Sequence, residues 1–354
     1  MNLKSFIPTA LIPPLRACRN YLRAGFAHAP GYRERYQSEL DHFSNVEHVH
    51  DLPQIAGYWG HKHLRPMLEP FGFTNAIELF RGYIGRVCRE TAGENVQVLS
   101  VGAGDAATEI NIARWLLENE IRNFAFECID INAEVLNRGM VAARENGVSE
   151  YFTFSTFDVN AWRPRHQFMF VLAVQSLHHV QKLEILFDRI KEALHPDGYF
   201  MSDDMIGRNG HQRWPEALRL VEHLWADLPD KYKYNHQLKR LEKKFVNWDC
   251  SIEGFEGIRS QDILPLLMKH FSFEVFVAFG NIIDPFIDRC FGPNFDPNDE
   301  WDRNFIDRVH ALDVAELEAG RIKPTHMMAV MRKKPVENPQ VHKHLTPEFC
   351  FRRP

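Results

Sequence analysis

The chain has 354 residues, a formal net charge of −5, 45% hydrophobic and 25% charged residues. This composition excludes disorder and allows one large core or two modest ones. The small acidic excess speaks against a duplex nucleic-acid substrate, and no apolar run is long enough to span a bilayer.

The cysteines Cys18, Cys88, Cys128, Cys250, Cys290 and Cys350 form no CxxC pair and have no histidine at metal spacing. They read as reduced thiols of a cytoplasmic protein. Residues 1–33 carry Lys4, Arg16, Arg19, Arg23 and Arg33 but no acid, and Pro8, Pro13 and Pro14 spoil a signal-peptide pattern. A basic tail lying on the domain is the favoured reading, with weak contact to an anionic membrane surface as the second.

Residues 34–95 are expected to be mainly helical, with breaks near Pro53, Gly72 and Gly93. The β-branched run 96–101 then predicts a strand ending at Gly102, followed by a helix over 105–119 striped by Ile110, Ala113, Leu116 and Leu117. A strand over 124–129 closes at Asp130, and a helix over 133–145 stops at Asn146-Gly147. Strands follow at 151–157 and at 168–174, the latter apolar throughout, as a parallel strand covered on both faces requires. A helix over 182–194 ends at His195-Pro196-Asp197-Gly198, and a fifth strand starts at Tyr199. Helices are predicted over 213–228 and 235–245, and the last two strands over 273–279 and 326–331.

This alternation implies an α/β fold, a Rossmann-like doubly wound seven-stranded sheet. A helical N-terminal cap over 1–90 precedes a domain over 91–335, with helical insertions near the C-terminal strands at about 206–270 and 284–322. Residues 336–354 are expected to form a tail.

The stretch VLSVGAGDAATEI (98–110) runs a strand through Gly102-Ala103-Gly104 into a helix. Glycine allows a tight turn and close backbone approach, and a helix N-terminus offers free N–H donors to a ligand. Asp130, ending the next strand, is placed to accept hydrogen bonds from ribose hydroxyls across the same crevice. Alone, this pattern fits any dinucleotide or nucleoside site, or a turn that merely needs small residues; Asp130 itself fits a helix cap.

The order VGAGD, CIDIN, FDVN, LAVQSLHHV and LHPDGYF resembles class I S-adenosylmethionine-dependent methyltransferases over residues 96–205. The resemblance implies S-adenosylmethionine as cofactor, with Gly102, Ala103 and Gly104 under its methionine part. It places Asp130 at the ribose, Ile131 on the adenine, Asp158 and Val159 at the adenine edge, and Gln175 beside the methionine moiety. Ser100 stands where the family has an acidic residue, Ala106 where it has a third glycine, and Met169 where the fourth strand often starts with aspartate.

Methyl transfer from a sulfonium can be driven by positioning alone, worth roughly 7–11 kcal/mol, so the acceptor side need carry no signature. His178 and His179 follow the fourth strand on the ligand-binding edge and are candidate bases. Asp203 and Asp204 leave the fifth strand at the same edge, Asp204 being the candidate catalytic acid, with no histidine or cysteine cluster to suggest a metal cage. Arg208, Asn209, His211, Arg213 and Trp214 could hold a polar substrate, and Glu253, Glu256 and Arg259 form a further cluster. Tyr58 and His61 are assigned to a lid over the cofactor, while His61 and His63 sit too close on one helix to share a metal.

The reading is a methyltransferase acting on a small polar acceptor, most simply a hydroxyl of a natural product, sugar or polysaccharide precursor. N- or S-methylation, a nicotinamide-dependent oxidoreductase and a non-catalytic methyltransferase-like scaffold are the alternatives. No metal is expected.

Overall fold

In the computed structural model, residues 31–44, 52–91, 93–252 and 254–352 are described. The basic stretch through residue 30 and Glu253 lie outside them. Among the described residues, four α-helices precede the sheet: α1 (Tyr32–Ser44), α2 (Gln54–Trp59), α3 (Arg65–Leu68) and α4 (Ala76–Glu90), with a π-helical turn at Gly60–Leu64 joining α2 to α3. α4 starts where Asn75 accepts from the Glu78 amide, while Glu78 reaches back to the amide and hydroxyl of Thr74. These reciprocal bonds satisfy N–H groups that the first helical turn would leave bare.

The chain then alternates through β1 (Val96–Val101), α5 (Ala107–Glu118), β2 (Phe124–Asp130), α6 (Ala133–Glu145), β3 (Phe152–Thr156), β4 (Phe168–Val174), α7 (Leu183–Ala193) and β5 (Leu194–Met205). The run 195–198, expected outside the strand, lies within β5, where the register against β4 jumps as Phe168 faces Leu194 and Phe170 faces Tyr199. Beyond β5 come α8 (Pro215–Asp227), β6 (Tyr234–Asn235), β7 (Arg240–Leu241), α9 (Ser260–His270) and β8 (Ser272–Phe279). The chain closes with α10 (Asp284–Ile287), α11 (Glu300–Glu318), β9 (His326–Arg332), β10 (Gln340–Val341) and α12 (Pro347–Cys350).

The sheet order is β10-β8-β9-β5-β4-β1-β2-β3, parallel except that β9 runs antiparallel to both neighbours. Progress along the sheet reverses between β1 and β4, and that is where an open α/β sheet leaves a crevice at its strand ends. One core lies under α4, α5, α8 and α11, around Phe80, Phe126, Phe170 and Met201. The other lies under α7 and α9, around Phe187, Phe200 and Leu267. Alternating residues of β5 therefore face opposite cores.

Three further expectations change. The sheet has eight strands rather than seven. The eighth, β10, belongs to the segment expected as a tail, whose Leu345 and Cys350 are also buried. Residues 235–245 are not helical: Asn235 accepts from the Gln237 and Leu238 amides, Lys239 takes φ 52°, and β6 and β7 pair as a hairpin. An asparagine that binds the backbone two residues on competes directly with helix formation. No helix among the described residues is long and apolar enough to cross a membrane.

Candidate active site

The turn after β1 is built by the positive φ of Gly102 (67°), Gly104 (55°) and Ala106 (55°). The Gly102 and Ala103 amides donate to the Ile129 carbonyl, at 2.8 and 3.0 Å, which lays the turn against the end of β2. A Cβ at Gly102 would lie 2.6 Å from the Ser176 Cβ, so only glycine lets the β1 and β4 loops approach this closely. Ala106, at the expected third-glycine position, adopts the left-handed conformation at a cost of roughly 1–2 kcal/mol. Gln175, exposed at the end of β4, does the same at φ 49°, a backbone state that clusters at ligand clamps.

Asp130 bridges two loops, accepting from the Gly104 amide (2.9 Å) and the Asn132 amide (2.8 Å). The cap of α6 is Asn132, which accepts from Glu134 and Val135. Asp130 is therefore not the capping residue, and each of its oxygens retains acceptor capacity toward the crevice. Gly102, Ala103, Gly104, Asp130, Ile131, Asp158 and Val159 are all half-buried, forming an accessible row over a buried floor. The row puts a glycine turn that admits close backbone approach at one end and carboxylates at the other.

Ser100, at the position where the resemblance implied an acidic residue, meets a carboxyl that comes from α5. The Ser100 hydroxyl donates to Glu109 Oε1 at 2.7 Å, and both residues are buried. Burial, only partly offset by the Ser100 bond, pushes the Glu109 carboxyl up to about 7. The sign follows directly. Below about 4.5 the group is neutral in both folded and unfolded chains; above about 7 folding must bury a charge. Its contribution to stability is thus lost as pH rises through that window, by about 3 kcal/mol. Glu109→Gln is expected to abolish this loss, measured by denaturant unfolding at pH 5 and pH 8. An equal pH difference in both proteins would contradict it.

α1 lies across the crevice. The Tyr32 hydroxyl donates to Asp158 Oδ2 at 2.5 Å and accepts from Asn160, and the Leu40 carbonyl accepts from Asn132. Glu39 Oε1 sits 2.6 Å from His179 Nδ1, and Arg35 donates to the carbonyls of Ser251 and Gly254. The sequence assigned the lid to Tyr58 and His61, and that assignment is corrected. The Tyr58 hydroxyl binds Asp307 of α11 and Lys62, and His61 is exposed on the π-helical turn.

On the α7 side of the sheet edge, His178, His179 and His211 converge on Glu256. The distances are 3.5 Å from His178 Nε2 and 2.5 Å from His211 Nε2 to Oε1, and 3.5 Å from His179 Nε2 to Oε2. Asp204 holds His178 Nδ1 at 2.6 Å and also accepts from the amides of Ser176, Leu177 and Met205. Burial pulls His178 down, but Asp204 and Glu256 outweigh it and raise the ring to about 10. Close backbone contact brings His211 and Glu256 together. The Gly210 amide donates to the Gly257 carbonyl (2.8 Å), a Cβ at Gly210 would overlap Asp249 at 1.9 Å, and Gly210, His211 and Gly257 all have positive φ. The absence of a histidine cluster beside Asp203-Asp204, expected from the sequence, is therefore also corrected.

Asp203 points to the opposite face from Asp204. Its Oδ1 accepts from Gln175 Nε2 at 3.4 Å. Desolvation, opposed by His326 and reinforced by Asp204, pushes its carboxyl up to about 7. Behind it, His326 Nε2 lies 3.4 Å from Asp284 Oδ1, and Asp284 Oδ2 accepts from Thr325 and from buried Arg213.

The remaining substrate candidates are engaged elsewhere. Arg208 donates to the Arg213 carbonyl, Asn209 accepts from the Gln261 amide, Arg352 lies over the Trp214 ring, and Arg259 is bidentate on Glu184. Glu39, Tyr32 and Glu109 join the site although the sequence assigned none of them a role.

Residues 77–245 match the family model of a methyltransferase domain. No curated protein matches the chain by sequence. Among solved structures, an O-methyltransferase from a polyketide synthase multienzyme of Brevibacillus brevis shares 13% identity over 76% of this chain and 75% of that one, with a TM-score of 0.42. A methyltransferase from Geobacter sulfurreducens, solved with S-adenosylhomocysteine, shares 13% identity over 76% of this chain and 96% of that one, at 0.41. The family match spans the glycine turn, the end of β2 and the loop after β4, so over residues 77–245 the chain is similar to methyltransferase domains.

Proposed function

We propose that the enzyme methylates a hydroxyl group of a small polar acceptor, of the natural-product, sugar or polysaccharide-precursor kind. Asp203 carries this reading. A carboxyl near 7, hydrogen-bonded to Gln175 at the strand end, is matched to removing a hydroxyl proton at neutral pH.

S-adenosylmethionine supplies an electrophilic methyl group on a sulfonium. Gly102, Ala103 and Gly104 would hold its methionine part beside Gln175, with Ser100 and Glu109 supporting the turn from below. Asp130 would take the ribose, and Ile131, Asp158 and Val159 the adenine. His178 and His179 were candidate bases, but the raised ring of His178 between two carboxylates makes it a poor proton acceptor. Asp204, enclosed by amides and His178, is a positioning residue in this scheme. The five described cysteines are free thiols, in keeping with a cytoplasmic protein.

The test is an acceptor panel with methyl-labelled cofactor, reading the carbon shift of the transferred methyl in the product. A methoxyl signal is expected; an N- or S-methyl signal would overturn the hydroxyl assignment.

α1 would act as the gate of the cofactor crevice. Replacing Tyr32 and Arg35 together by alanine removes its bonds to Asp158, Ser251 and Gly254. At roughly 1–2 kcal/mol for each lost contact, cofactor association in stopped flow should quicken by about tenfold or more. An unchanged association rate would count against gating.

A further inference from the structure

The geometry points to a divalent transition-metal site formed by His178, His179, His211 and Glu256. The ligand atoms of His178, His211 and Glu256 lie within 4.8 Å of one another, and His179 Nε2 faces the second oxygen of the same carboxylate. Three imidazole nitrogens around one carboxylate can act as a ligand set.

The outer partners strengthen the assignment. His178 bonds Asp204 through Nδ1, and His179 Nδ1 lies 2.6 Å from Glu39 Oε1, while both Nε2 atoms lie 3.5 Å from oxygens of Glu256. Carboxylates on the far nitrogen are how metal-binding histidines are oriented and made more basic. The support is rigid. Asp204 is pinned by the Ser176, Leu177 and Met205 amides, and His211 is fixed by the Gly210–Gly257 backbone contact. His178 and Asp204 are buried, so the cluster is not a chance grouping of surface side chains.

Three nitrogens and one carboxylate oxygen select a borderline ion such as zinc, iron(II) or cobalt(II) over magnesium, which demands oxygen ligands in an octahedron. The fold carries the site next to the crevice edge, and Glu39 ties it to α1. Closing the gate would then complete the orientation of one ligand. The inference concerns metal binding and does not rest on the identity of the acceptor.

The full chain, stripped with a chelator, should be titrated with cobalt(II), followed by its visible d–d absorption, and with zinc(II) by calorimetry. The expected result is one equivalent bound, with cobalt bands of low coordination number that zinc displaces, and no response to magnesium. His211→Ala and Glu256→Gln should each weaken binding by about 100-fold or more, and Glu39→Gln by roughly tenfold through its effect on His179. His223→Ala, at an exposed histidine of α8, should bind as the parent does. Thermal unfolding of each variant without metal checks folding; metal should raise the melting temperature of the parent but not of folded His211→Ala. No saturable binding of cobalt or zinc to the parent, or binding undiminished in both His211→Ala and Glu256→Gln, would overturn the proposal and leave an ion-pair cluster.

Discussion

Gly102→Ala is expected to reduce S-adenosylmethionine affinity by roughly 100-fold or more, while leaving a folded protein. The new Cβ would lie 2.6 Å from the Ser176 Cβ, and Ser176 cannot easily yield. Its amide is bound to Asp204, and its hydroxyl donates to the Val101 carbonyl at 2.8 Å. The φ of 67° adds left-handed strain of roughly 1–2 kcal/mol to an overpacking cost of about 1–3 kcal/mol. The turn would relieve both by moving away from β4, into the crevice proposed for the cofactor. Calorimetric titration with S-adenosylhomocysteine, paired with a thermal melt, separates lost binding from lost folding. Parent-like affinity would show that the turn does not contact the cofactor.

Asp203→Asn carries the second large effect. If Asp203 takes the acceptor proton, removing its charge should lower kcat by about a hundred- to ten-thousandfold. Cofactor affinity should stay near that of the parent. The parent rate should rise with pH through about 7, because the folded-state carboxyl becomes a base only above that value. The variant should lose this rise. A variant with the same acidic limb would assign the titration to another group.

Much of the strand–helix framework around the proposed cofactor crevice was legible because it is local. Val96–Val101, Ala133–Glu145 and Phe168–Val174 fall where periodicity and stop signals put them, and Gly102 to Gly104 with Asp130 lie within one strand–helix–strand unit. The histidine–carboxylate cluster was not legible in the same way. Glu39, His179, His211 and Glu256 come from four separate segments, and only packing brings them together. The aromatic, histidine-rich stretch 56–66 looked like a lid, yet Tyr58, Lys62 and His63 all turn to Asp307 of α11. α1, with ordinary charged composition, takes the covering position because Tyr32, Arg35 and Glu39 each find partners across the crevice. The hairpin at 234–241 was missed for a local reason, since the Asn235 turn outcompetes a helical apolar pattern.

The central claim is that the crevice between the β1 and β4 loops holds S-adenosylmethionine. Calorimetric titration of the parent chain with S-adenosylhomocysteine, with NADH as control, tests it most directly. One saturable site for S-adenosylhomocysteine, lost in Gly102→Ala and absent with NADH, is the expected result. Binding of NADH without binding of S-adenosylhomocysteine would contradict it.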